Sequence, residues 1–345
     1  MKNKDKFRGC LIGGAAGDAL GYAVEFVGEK YIFHKYGSKG ITEYELTKGV
    51  AQISDDTQMT MFTADGLLFA KEHLTGGDGM EQYISGIAAC YKDWLKTQER
   101  TWPVKKESCV SRLMDVRELF SPRAPGIACM TSIRKGAYGR VRTPINDSKG
   151  CGGVMRVAPV GLFFDGEGNF GRDEIDWLGA EAAAITHGHD LGYIPAAALV
   201  HIVQRGAHDD SVTLLETVEE AMEAMKRLFA DAVHLNEFLK LTEKAIQLSQ
   251  MEMDDLDAIH QLGEGWVAEE TFAIAVYCAL KYADDFDKAL IASVNHKGDS
   301  DSTGAVTGNI LGAYLGFDKI PEKYVEHLEL LDTILELADE LYEKS

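Results

Sequence analysis

Glycine recurs at intervals of four in two places, at Gly9, Gly13, Gly17 and Gly21 and again at Gly304, Gly308, Gly312 and Gly316. On an α-helix that spacing puts each set along nearly one face, which strips the face of side chains and lets a second backbone come close. Glycine weakens a helix by about 1 kcal/mol relative to alanine, so two such runs require a compensating packing reason. The pattern predicts two central helices whose bare faces pack tightly, with each other as one natural pairing. A membrane dimer motif is excluded, because Asp18, Asp299 and Asp301 flank or interrupt the runs.

Most other long segments also carry helical periodicity. Met61, Ala64 and Leu68 share a face, as do Leu328, Leu331, Ile334, Leu335 and Leu341, while alternating strand patterns are sparse. With 345 residues, 46% of them hydrophobic, the chain can bury a sizeable core. No low-complexity linker or shift of composition marks a boundary, so residues 1–345 are read as one compact α-helical domain. The stretch from Pro122 to Pro159, rich in glycine and also holding Pro125 and Pro144, is expected to be a long functional loop region.

The 35 basic and 55 acidic residues give a formal charge of -20. No overall basic field exists to draw in nucleic acid or an anionic membrane, so any anionic substrate must be handled locally. Cys10, Cys90, Cys109, Cys129, Cys151 and Cys278 show no zinc-type spacing, and free thiols in a reducing compartment fit them best. The basic and then apolar start invites a signal-peptide reading, but Asp18 cuts the apolar run short. No segment reaches the roughly 20 apolar residues that span a bilayer. A cytoplasmic protein is expected, monomeric or a small homo-oligomer.

Two acidic motifs carry the chemistry. Ser54, Asp55, Asp56 and Thr57 precede a helical pattern, and Asp299, Ser300, Asp301, Ser302 and Thr303 precede another. Each makes a sound helix N-cap, since serine or aspartate accepts orphan backbone N–H groups and acidic charge suits the positive helix end. Together they also supply the hard oxygen ligands that magnesium, manganese or calcium prefer. An EF-hand fails because its twelfth position would be Ile310 rather than glutamate. A phosphatase-type DxDxT nucleophile needs an apolar strand directly ahead, where Asn295, His296, Lys297 and Gly298 stand instead. The HGHD run at His187–Asp190 lacks the continuation of a metallo-β-lactamase motif, because Leu191 and Gly192 follow it.

The order of motifs resembles the ADP-ribosylglycohydrolase family, which includes the dinitrogenase-reductase-activating glycohydrolases. The matching segments are GDALGYAVEF from Gly17, SDDT from Ser54, GCGGVMRVAPVG from Gly150, THGHDLGY from Thr186, LGEGWVAEE from Leu262 and GDSDSTGA from Gly298. The resemblance implies an all-α, multi-helix orthogonal bundle with a binuclear metal cleft. It implies two Mg2+ or Mn2+ ions held by Ser54, Asp55, Asp56, Asp299, Asp301 and Ser302. Ser54 and Ser302 often stand as threonine in the family, a change that keeps the hydroxyl. Glu25 matches the family's mobile glutamate, which helps to position or deprotonate a water, and Asp55, Asp56 and Asp301 are expected to take part in catalysis with it.

The same resemblance places Gly150, Gly152, Gly153, Arg156, His187, Gly263, Gly265 and Trp266 along the substrate cleft. Glycines at 150, 152 and 153 would let backbone N–H groups approach a pyrophosphate, His187 would meet a phosphate or hydroxyl, and Trp266 would stack on adenine or line the ribose pocket. The implied substrate is an ADP-ribosylated protein or a small ADP-ribosyl compound, with ADP-ribosylarginine favoured. O-linked serine or O-acetyl-ADP-ribose, and a non-catalytic ADP-ribose or nucleotide sensor, are the alternatives.

Overall fold

The computed structural model describes residues 3–74, 79–168 and 170–345. Among them lie fifteen α-helices. The first five are α1 (Lys4–Tyr22), α2 (Glu29–Tyr36), α3 (Asp55–His73), α4 (Met80–Glu99) and α5 (Ile127–Arg134). Next come α6 (Ala158–Phe163), α7 (Arg172–Ala184), α8 (Asp190–His208), α9 (Leu214–Leu228) and α10 (Leu235–Ser249). The last are α11 (Asp255–Leu262), α12 (Ala268–Lys281), α13 (Phe286–Val294), α14 (Ser300–Leu315) and α15 (Leu331–Lys344). Strand pairing among the described residues is limited to isolated bridges such as Gly150 with Val267, so the fold is all-α as expected. None of the described helices is long and apolar enough to cross a membrane.

The two glycine runs fall on α1 and α14, which lie antiparallel with their backbones in contact. A Cβ built on Gly17 would stand 1.9 Å from the Gly304 carbonyl oxygen, one on Gly308 1.9 Å from that of Gly13, and one on Gly312 1.9 Å from that of Gly9. The register runs Gly9 to Gly312, Gly13 to Gly308, Gly17 to Gly304 and Gly21 to Ser300. Asn309 adds a polar step, donating its amide to the Cys10 carbonyl at 2.8 Å across the seam. Gly316 ends α14 at φ +92°, a left-handed conformation that glycine adopts without a Cβ penalty.

This pairing sits at the centre of the molecule. Along α1, α3 and α14 almost every residue is buried, so each is enclosed on all sides rather than amphipathic. Outer helices show the opposite pattern: on α9 the buried positions Leu214, Val218, Ala221, Met222 and Met225 form one stripe, and a Thr213–Glu216 capping box starts the helix. The stretch from Pro122 to Pro159 is not one long loop. Helix α5 interrupts it, burying Cys129 and Ile133, because a short apolar run there finds a surface against the neighbouring helices.

The antiparallel register has a positional consequence. The C-terminal end of α1 and the segment after it are brought level with the N-terminus of α14, so Asp18 and Glu25 come beside Asp299 and Asp301. Alanine at Gly17 has no room, and Gly17→Ala is expected to lower stability by about 2–3 kcal/mol, the upper range for overpacking. Gly28→Ala meets no atom within 4 Å and should change stability by no more than about 0.5 kcal/mol. Urea unfolding of the two variants checks the contrast, and equal stabilities would mean that α1 and α14 are not in backbone contact.

Candidate active site

Both acidic motifs form helix starts, as their sequences predict. Ser54 is the N-cap of α3, its Oγ accepting the Asp56 N–H at 3.2 Å. Asp299 is the N-cap of α14 and accepts the Ser302 N–H. The two helix ends meet: Ser302 Oγ donates to Asp56 Oδ2 at 2.7 Å across 246 residues of chain. Carboxylate oxygens of Glu25, Asp299 and Asp301 lie within 4.8 Å of one another, all three buried. Asp55 is also buried there, near enough to Asp301 and Asp18 to feel their charge, and its Oδ2 accepts the Gly126 N–H at 3.2 Å.

Burial and crowding set the electrostatics. Desolvation first, and the nearby charge of Asp301 second, push the Asp56 and Asp299 carboxyls well above the usual carboxylate range. Asp55 is raised by burial despite its bond from Gly126, with Asp301 and Asp18 adding to the effect. Glu25 is pushed up to about 11 by burial, then by Asp301 and Asp299. Its Oε2 is buried without any hydrogen-bond partner. A set of hard oxygen donors that repel one another, one of them unpartnered, is the chemistry that divalent cations satisfy. The residues present therefore fit such ions, with Ser54 and Ser302 engaged at the same two helix ends.

Asp18 belongs to this centre, although it was not among the predicted site residues. Fully buried on α1, its carboxylate accepts the Ser54 N–H at 3.0 Å, the Thr57 N–H at 3.1 Å and the Thr57 hydroxyl at 2.5 Å. It thus caps α3 from another helix. Burial and then Asp301 hold it up at about 7 even against these bonds. The available signal was a lone acid inside a glycine-rich apolar helix, a costly placement that calls for a structural or chemical reason.

The remaining predicted residues surround the carboxylates in two loops. Gly150, Gly152 and Gly153 begin with a bridge to Val267, and Cys151 N–H donates to the Trp266 carbonyl at 3.2 Å. Gly150 and Gly152 lie against the His187 ring, whereas Gly153 packs on the Gly192 carbonyl. The second loop folds back through Gly263 at φ +134° and Gly265 at φ +82°, and Gly265 sits directly on Asp299 and Thr303. Trp266 is 40% exposed and stacks on Phe26, itself 70% exposed, at 6.1 Å between centroids. Phe26 was not among the predicted site residues.

Arg156 lies deeper than a substrate contact requires. It is fully buried over the Tyr91 ring, donates to Thr186 Oγ1 at 2.5 Å and reaches Cys129 Sγ at 3.2 Å. Thr186 Oγ1 in turn bonds His187 Nδ1 at 2.8 Å. The arginine therefore orients the histidine through a threonine. Burial, with the Arg156 charge second, pushes His187 down to about 3, so the ring is neutral at physiological pH.

A family model described as ADP-ribosylglycohydrolase matches residues 1–345. The chain belongs to the ADP-ribosylglycohydrolase family. It is 24% identical to the human protein named ADP-ribosylhydrolase ARH3, over 100% of this chain and 95% of that one. It is 26% identical to the Rhodospirillum rubrum protein named ADP-ribosyl-[dinitrogen reductase] glycohydrolase, covering 94% of this chain and 91% of that one. A solved structure titled ADP-ribosylglycohydrolase-related protein complex shares the fold at a TM-score of 0.59 and 21% identity, covering 99% of this chain and 98% of its own. As a family member, the chain is a hydrolase of glycosidic ADP-ribose bonds.

For this glycohydrolase, the raised carboxyls make a pH prediction with a definite sign. A carboxyl whose folded value exceeds its unfolded one contributes most stability below the unfolded value, and that contribution is lost as pH rises through the folded value. For Asp18 the window runs from the ordinary 3.8 to about 7. The metal-free protein should lose stability as pH rises across it, and added Mn2+ should flatten the loss; a metal-free melting temperature that climbs steadily from pH 4 to 7 would contradict the electrostatics. Asp301→Asn should melt at or above the wild-type temperature without metal and lose most of the gain on adding Mn2+, as read by thermal unfolding.

Proposed function

We propose that this glycohydrolase releases ADP-ribose from ADP-ribosylarginine, an N-glycosidic linkage, in a reaction that requires two divalent cations, Mg2+ or Mn2+. The contact of Ser302 Oγ with Asp56 carries the reading, because it joins the two distant acidic motifs beside the unpartnered oxygen of Glu25. The ligands assigned are Ser54, Asp55, Asp56, Asp299, Asp301 and Ser302. When bound, the ions supply positive charge that orients and polarises the distal ribose and the attacking water.

The chain's own groups do the rest. Glu25, once its neighbours are neutralised, accepts a proton from water at its free Oε2. The buried carboxylates face the positive charge that develops on the ribose as the bond to the acceptor breaks. Neutral His187 and the loop from Gly150 to Gly153 are assigned to the pyrophosphate, and the exposed ring of Trp266 to the nucleoside side. A groove of about 740 Å3 adjoins Trp266 and is lined by Glu29, Glu264 and Glu270, of which Glu264 pairs with Lys297 at 2.7 Å, Glu29 with His260 at 2.6 Å, and Glu270 accepts the N–H groups of Glu264 and Gly265. The likeness to the Pseudomonas putida protein named ADP-ribosylarginine hydrolase Tri1, 22% identical over 99% of this chain and 79% of that one, supports arginine as the acceptor over the O-linked alternatives.

Free ADP-ribose release from arginine-, serine- and O-acetyl-linked substrates, with Mn2+ and then with chelator, tests the assignment. Metal-dependent release from the arginine substrate is expected to be at least tenfold faster than from the others. Faster release from serine or O-acetyl substrates transfers the assignment to them, and tight binding without release from any substrate makes the protein a sensor. Glu25→Ala should lower kcat by about 100-fold or more, the range for loss of a general base, while leaving ADP-ribose affinity within a few-fold by calorimetry.

A further inference from the structure

His189 and Asp190 of the HGHD run, with His234 from the start of α10, make a second set of ligands that the hydrolytic reading does not use. Oxygen and nitrogen atoms of His189, Asp190 and His234 lie within 4.8 Å of one another, and all three residues are partly exposed. We propose that they form a site for a borderline transition ion of the zinc type, separate from the carboxylate cluster and different from it in chemistry. Two imidazoles and one carboxylate suit Zn2+ or Co2+, whereas the all-oxygen cluster suits Mg2+ or Mn2+.

The local geometry prepares the ligands. His234 Nδ1 stands 3.2 Å from Asp190 Oδ2. Two ligands of a tetrahedral ion bound at about 2.0–2.1 Å lie roughly 3.3–3.4 Å apart, so an ion can replace the proton that now joins this pair with little movement. His189 Nδ1 accepts the Leu191 N–H at 3.0 Å, which keeps that nitrogen unprotonated. The two rings are 4.5 Å apart between centroids and tilted by 32°. Partial exposure admits the ion and lets water complete its coordination.

Forces also oppose the ion. His189 and His234 are the N-caps of α8 and α10, whose positive ends disfavour a cation. Asp190 places a negative charge between them, and uptake exchanges the Leu191 cap bond for coordination. The gain is a cross-link: the ion ties the starts of α8 and α10 together, and His189 N–H already holds the Ser148 carbonyl of the loop that leads to Gly150. The site is thus a staple for the wall of the cleft rather than a source of nucleophilic water.

Cobalt absorption on the untagged full chain, with excess Mg2+ occupying the carboxylate cluster, tests the proposal. One equivalent of Co2+ should give a tetrahedral d–d band without thiolate charge transfer, and Zn2+ should abolish it. His234→Ala and His189→Ala should each weaken uptake at least tenfold. Both should keep ADP-ribosyl hydrolysis measurable with Mg2+, so the outcome is independent of the acceptor assignment. No tetrahedral band, a band dominated by thiolate, or the same uptake in both variants would overturn the site.

Discussion

The backbone contact between α1 and α14 is the constraint on which the rest depends. Apart from Asn309, the seam is lined by main-chain atoms rather than adjustable side chains, and these set the separation and register of the pair. A side-chain interface can repack around small changes, but this one has almost nothing to repack. The polar chemistry at one end of the seam inherits that rigidity, because Asp18 belongs to one helix and Asp301 to the other. Asp18 then extends the fixed geometry to α3 by holding the N–H groups of Ser54 and Thr57.

That arrangement concentrates acids where solvent cannot screen them. Their raised affinities for protons show the conflict directly, since burial and mutual repulsion act in the same direction on Asp55, Asp56, Asp299 and Glu25. A fold tolerates such a cluster only if its core is stable enough to carry the cost, and the enclosure of α1, α3 and α14 supplies that core. The strain is local, and the hydrophobic packing around it is distributed.

Much of this was legible in the sequence for physical reasons. The period of four in the glycines maps directly onto a helix face, and the two acidic motifs sit where N-caps belong, so both helix starts could be placed. Their meeting could be inferred from the family resemblance but not from spacing, because nothing local in SDDT specifies a partner 246 residues away. The role of Asp18 was hidden because two of its partners are backbone N–H groups of α3, which leave no mark on the residues that donate them, and the third, the Thr57 hydroxyl, lies 39 residues away. Helix α5 was hidden in a stretch whose prolines and glycines signal turns, and only tertiary burial of Cys129 and Ile133 decides its state. The depth of Arg156 was equally unreadable, for arginine in a loop next to glycines looks the same whether it faces solvent or an aromatic ring.

The small bridge between the two cleft loops has a mechanical meaning. Cys151 N–H bonds the Trp266 carbonyl and Ala268 N–H bonds the Lys149 carbonyl, so the glycine loop beside His187 and the turn that presents Trp266 are stitched into one piece. Neither loop can swing without dragging the other. A molecule gripped by the first would draw the aromatic rim with it, and the wall of the acidic groove, which begins at the same turn, would move in step.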